Sequence, residues 1–177
     1  MKSIAIKGKH HKDKIAKTID STTIAVRDCM LNMPLYVFDN AFQVVLINTI
    51  YLDLDKDLDK CKYKKECLRE IDKKIASYKV QDINRNKYNN NNITRIETVE
   101  KLVASKLRCY YCKSEMLIFY NKVRDVTQWT LDRIDNILPH LCENVVVCCL
   151  KCNLQRRCQN NEKFLFSKQL KIVKTNF

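Results

Sequence analysis

Cys109-Tyr110-Tyr111-Cys112 and Cys149-Leu150-Lys151-Cys152 are the stretches on which the fold of the carboxy-terminal half turns. Two residues between cysteines let both thiolates face one ion. Two such pairs supply four soft ligands in a tetrahedron, the ligand set of a closed structural zinc site. Cys148 competes with Cys149, but only Cys149 leaves the two-residue spacer. A pair of buried free thiols, or a redox dithiol, is the other meaning of such spacing. Zinc held by Cys109, Cys112, Cys149 and Cys152 would have no open position, so it would act as scaffold and leave chemistry to other residues. Cys29, Cys61, Cys67, Cys142 and Cys158 read as small core residues. Ten cysteines behind an amino terminus with no apolar leader suit a reducing, intracellular compartment.

Between the pairs lies Trp129-Thr130-Leu131-Asp132-Arg133-Ile134-Asp135-Asn136, then His140, then Asn144-Val145-Val146-Val147. Physically this is a strand ending in an acid, a polar loop, a second strand, a cysteine pair and a helix. Asp132 and Asn153 offer oxygen ligands. Sparse oxygen coordination suits Mg²⁺, which keeps several waters and takes the rest from substrate phosphate.

Taken in order, C-x-x-C, Leu-Asp-Arg-Ile-Asp-Asn, His, Asn-Val-Val and C-x-x-C-Asn resemble the HNH endonucleases. The likeness is to those with a zinc-stapled ββα-metal, treble-clef-like fold, phage and large-virus members among them. It covers about residues 105–160. It implies a metal-dependent endonuclease that hydrolyses nucleic-acid phosphodiesters, DNA in the first place, with catalytic Mg²⁺ or Mn²⁺ beside the structural Zn²⁺. Carried over by position, Asp132 and Asn153 hold the catalytic ion and Asn144 braces the loop. The position that carries the water-activating histidine in the family is Arg133 here. Arginine stays protonated and cannot be a general base, although it can hold a phosphate. His140, the one histidine near the motif, is then the candidate base, with Asp135 or metal-bound hydroxide as substitutes. Arg133, Arg156 and Arg157 are the candidate phosphate clamps. The alternative is a non-catalytic zinc-stapled nucleic-acid-binding protein.

Charge agrees with a nucleic-acid partner. The net is +13 over 177 residues, and such an excess attracts polyanions. Residues 151–177 carry seven lysines and arginines against one acid, Glu162. The amino-terminal 27 residues carry seven against two, including Lys7-Gly8-Lys9-His10-His11-Lys12, and read as a basic arm. Gly8 is the only glycine. That excludes phosphate-cradling loops, dinucleotide fingerprints and the hydrolase nucleophile elbow, so no nucleotide cofactor is expected. No apolar run reaches the length of a membrane span. The asparagine- and lysine-rich composition suits an AT-rich genome, such as that of a virus.

The expected fold class is α+β. A mostly helical region over 1–93, with the basic arm, ends in an Asn-rich linker at Asn84–Asn92; an HNH-like domain with a basic tail spans 94–177. Residues 34–52 are apolar and lean to a helix after Pro34. The acidic run Asp53–Asp59 reads as an exposed link. Leu68, Ile71, Ile75 and Tyr78 stand at helical spacing over 62–80. Thr94-Arg95-Ile96-Glu97 has capping-box spacing, and Ile96, Val99, Val103 and Leu107 would form that helix's buried face. Met116–Tyr120 and Gln128–Ile134 read as a hairpin, with Asn144–Val147 a further extended piece. Asn153–Gln159 reads as a helix capped by Asn153, and Glu162–Val173 as another helix or a basic tail. Trp129 reads as core.

Overall fold

The computed structural model describes residues 25–52 and 62–170. The basic cluster at Lys7–Lys12, the acidic run at Asp53–Asp59, Cys61 and the last seven residues lie outside the described residues. Within them the chain is α+β, with helices α1 (Asn40–Leu52), α2 (Lys64–Asn84) and α3 (Arg95–Ala104), strands β1 (Trp129–Arg133) and β2 (Val145–Cys149), and helices α4 (Leu150–Arg156) and α5 (Asn161–Gln169). Among the described residues no helix is long and apolar enough to cross a membrane.

Three of the helices, α3, α4 and α5, begin where a side chain satisfies a free amide. Thr94 accepts the Glu97 amide at 3.3 Å while Glu97 accepts the Thr94 amide at 2.8 Å, a complete capping box. Asn160 accepts the Lys163 amide at the start of α5. α4 starts earlier than the sequence suggests. Its cap is Cys149, whose sulfur accepts the Cys152 amide at 3.5 Å, so Asn153 lies inside the helix. α5 ends at Gln169. On α3 the buried face is Thr98, Val99 and Leu102. Ile96 is 76% exposed, and Leu107 lies beyond the helix end with φ 49°. The helix is too short, and turned too far, for the stripe Ile96–Leu107 to stay on one side.

β1 pairs antiparallel with β2, from Trp129 opposite Cys149 to Arg133 opposite Val145. Met116–Tyr120 is therefore not the hairpin partner of β1. It meets the start of β1 through a parallel bridge between Leu117 and Gln128, with the Trp129 amide donating to the Leu117 carbonyl at 3.1 Å. β1 is buried along its whole length and β2 at every residue but Val146, so the ladder is covered on both faces and β2 is apolar without alternation.

The outer edge of β1 is closed by side chains. The Leu131 amide donates to the Tyr78 hydroxyl at 2.9 Å, and Lys74 donates to the Trp129 carbonyl. Asn153 donates to the Leu131 carbonyl at 3.2 Å. An edge satisfied in this way offers no template for another strand. Burial pulls the Lys74 ammonium down to about 7.

One hydrophobic core joins Met30, Val37, Leu46 and Ile47 with Ile71, Leu102, Phe119, Trp129, Val147 and Phe164. Residues on both sides of position 93 thus share it. The Asn-rich stretch is docked within this unit: Asn92 bridges to Leu141, and the Ile93 amide donates to the His140 carbonyl at 2.7 Å. Cys67 is buried, while Cys29 and Cys158 are exposed and contribute nothing to the core. Trp129 is fully buried.

Candidate functional site

The two cysteine pairs converge. The sulfurs of Cys109, Cys112, Cys149 and Cys152 all lie within 4.8 Å of one another. The first pair sits in a tight turn, closed by the Cys109 amide on the Ser114 carbonyl at 2.8 Å and by Lys113 at φ 59°. The Tyr110 amide donates to the Val147 carbonyl at 3.0 Å and fastens that turn to β2. The second pair is the start of α4. A hydrogen bond from Cys149 holds the Cys109 thiol down to about 4, whereas burial pushes Cys152 up to about 12. The group has the soft donors and closed geometry of a structural metal such as zinc.

Beyond β1 opens a cleft of about 1010 Å³, lined by Arg85, Lys87, Asp132, Arg133, His140, Asn153 and Arg157 among others. Most of its charge is cationic.

His140 is held by Asp82, near the end of α2. Its backbone amide donates to Asp82 Oδ2 at 2.8 Å, and its ring Nδ1 lies 2.9 and 2.8 Å from the two carboxylate oxygens. Tyr78 stacks on the ring with centroids 4.6 Å apart. Burial pulls the imidazole below its ordinary value, against the opposing effect of Asp82. Burial alone would raise Asp82, but the hydrogen bonds from His140 and Asn92 outweigh it and the carboxyl sits below its ordinary range. With Nδ1–H assigned to Asp82 by this hydrogen bonding, Nε2 is the basic nitrogen. The chain brings His140 to this cleft, with an acid from α2 as its partner.

Asp132 is engaged elsewhere. Arg156 Nε donates to its Oδ2 at 2.5 Å and Nη2 to its Oδ1 at 3.0 Å, while the Tyr111 hydroxyl donates to Oδ2 at 2.6 Å. Burial works against the Arg156 charge, but its pairing with Asp132 outweighs it and raises the guanidinium's pKa. Burial, joined by Asp132, keeps the Tyr111 hydroxyl protonated as a donor. Asn153 spends its amide nitrogen on Thr130 and on the Leu131 carbonyl, which leaves its oxygen compatible with a cation. Asp132 is not compatible. Both of its oxygens already accept from Arg156, and the guanidinium charge beside them opposes a hard divalent ion. The expected Mg²⁺ or Mn²⁺ pair, Asp132 with Asn153, therefore does not fit the residues as they stand.

Two expected clamps also change place. Arg156 is fully buried and out of reach of a phosphate. Arg133 lines the cleft, yet its Nη1 lies 3.6 Å from Asp82 and donates to the Leu138 carbonyl at 3.3 Å. Arg157 is exposed on the cleft wall. Asn144 ties the loop: its Oδ1 accepts the Asp135 amide at 2.9 Å, and its Nδ2 donates to the carbonyls of Asp135 and Pro139 at 3.0 and 2.9 Å. Asp135 is exposed and turned onto the Ile137 amide.

Asp82, Tyr111, Arg85 and Lys87 were not marked by the sequence. Asp82 lies 58 residues from His140, and an acid near a helix end carries no local signal of such a partner. No known protein family, curated protein or solved structure matches the chain.

Proposed function

We propose that the protein is a zinc-stapled, HNH-type endonuclease that hydrolyses nucleic-acid phosphodiester bonds, those of DNA first. What carries this is His140: a neutral imidazole held by Asp82 in the wall of a cleft with Arg85, Lys87, Arg133 and Arg157 around it. An orienting acid, a histidine base and cationic groups in one concavity are the parts such a reaction needs.

In this reading the sugar–phosphate backbone enters the cleft, and Arg157 and Arg85 hold non-bridging oxygens. His140 Nε2 takes a proton from a water in line with the scissile bond. The water oxygen bonds to phosphorus, the bond to the leaving oxygen breaks, and that oxygen takes its proton from solvent. Asp82 keeps the ring oriented and stabilises the imidazolium that forms. No step is routed through a divalent ion, because Asp132 is closed by Arg156.

That same closure favours a second reading, a zinc-stapled binder that does not cut. Supercoiled plasmid and a labelled RNA, offered to the zinc-loaded full chain, separate the two. Nicking that disappears in His140→Gln, with binding retained, supports the nuclease. Binding without cleavage in the unaltered chain supports the binder. Asp132→Ala is a poor probe here, because it strands the buried Arg156 charge at a cost of about 3–5 kcal/mol.

A further inference from the structure

Arg156 does more than neutralise one acid. Its Nη2 also donates to the Arg133 carbonyl and, at 3.4 Å, to Asn136 Oδ1, and its Nη1 donates to the Gln159 carbonyl at 2.6 Å. One cation therefore joins the end of β1, the loop after it and the exit of α4. An ion bridging Asp132 and Asn153 would likewise tie the end of β1 to α4. The guanidinium is wholly buried and lies 2.5 and 3.0 Å from the two oxygens of Asp132. Mg²⁺ needs near-octahedral oxygens and retains water. With Arg156 paired to both of its oxygens, the charge of Asp132 is already neutralised and does not favour that shell.

We infer that Arg156 takes the place of a divalent ion: its fixed charge neutralises Asp132 and anchors the strand end that carries Arg133, so the cleft engages phosphodiesters without a catalytic divalent cation. Arg156 is a positioning residue, since it is buried and touches no substrate. The inference extends the nuclease reading and rests on it for the cleavage step alone; the claim about the ion stands on Asp132 itself.

The test is a Mn²⁺ titration of the zinc-loaded full chain, followed by the electron paramagnetic resonance signal of free Mn²⁺. The free signal should track that of buffer, while Arg156→Ala, with Asp132 released, should take up one Mn²⁺ per chain. Uptake of one Mn²⁺ by the unaltered chain, lost in Asp132→Asn, overturns the inference. The unaltered chain decides this even if Arg156→Ala does not fold. Plasmid nicking is measured in parallel in Mg²⁺-free buffer, with zinc content verified. Rates with and without Mg²⁺ should agree within about twofold if no ion takes part in the step. An absolute Mg²⁺ requirement counts against Arg156 as the substitute. If nothing is cut under either condition, the nuclease reading falls and the Mn²⁺ titration still judges the inference.

Discussion

Two donors of His140, its backbone amide and its ring Nδ1, meet one carboxylate, that of Asp82, and fix the orientation of the ring and which nitrogen carries its proton. In the proposed nuclease, replacing the imidazole by an amide, His140→Gln, should lower cleavage by about 10²–10⁴-fold, the usual worth of a general base, with nucleic-acid affinity retained in a binding assay. Asp82 raises the His140 pKa, so Asp82→Asn should move the acid limb of the pH–rate profile to lower pH while lowering the plateau. A merely structural Asp82 would lower the rate without moving the limb. The pair also dictates how stability depends on acid. The unfolded imidazole binds a proton near its ordinary 6.5, and the folded one does so only lower. Below pH 6.5 the unfolded state thus holds more protons, and stability falls with falling pH. Asp82 acts in the same direction further down, since its folded carboxyl stays ionised below its ordinary 3.8. Thermal midpoints measured from about pH 7.5 down to about pH 5 should decline in the unaltered chain and decline less in His140→Gln.

Side chains start three of the helices and close part of the free edge of β1. Thr94 caps α3 in a reciprocal box, so Thr94→Ala should cost about 1 kcal/mol in denaturant unfolding. The free edge of β1 depends on Tyr78, whose hydroxyl accepts the Leu131 amide. Tyr78→Phe keeps the ring that stacks on His140 and leaves that amide without its acceptor, which should cost about 1–3 kcal/mol in the same measurement. The two cases differ in how far they can be read from the chain. The capping box lies within four residues and stands out in the sequence. The Tyr78 bond spans 53 positions, and helical spacing marks Tyr78 only as a core contact. The strand partner of β1 was misread for a related reason. Met116–Tyr120 is nearer in sequence and apolar, but β2 is held at the right distance by the cysteine turn to which the Tyr110 amide ties it.

Across the whole molecule, four sulfurs gather the turn at Cys109, the end of β2 and the start of α4, while the shared core binds α1 and α2 to the same sheet. Stripping the metal with a strong chelator should lower the thermal midpoint sharply, since such ligand sets contribute on the order of 10 kcal/mol to folding. Circular dichroism of the full chain with and without chelator, and its recovery on adding Zn²⁺, checks this. The positive cleft lining comes from the turn after α2, with Arg85 and Lys87, from Arg133 on β1 and from Arg157 just past α4. A region with no chemical motif of its own, residues 62–93, thus supplies Asp82, Arg85 and Lys87 to the site.

The chain alone determined what depends on close spacing: two cysteine pairs able to share an ion, a capped helix, apolar stretches that become helices, and an excess of positive charge. Only tertiary packing decided which acid meets which base. Asp132 went to Arg156, 24 positions away, and His140 went to Asp82, 58 positions away. Such pairings follow from where buried faces meet, and a buried carboxylate must take whichever cation or donor the packed core leaves beside it. No local pattern encodes that neighbour, because it is chosen by the fold as a whole.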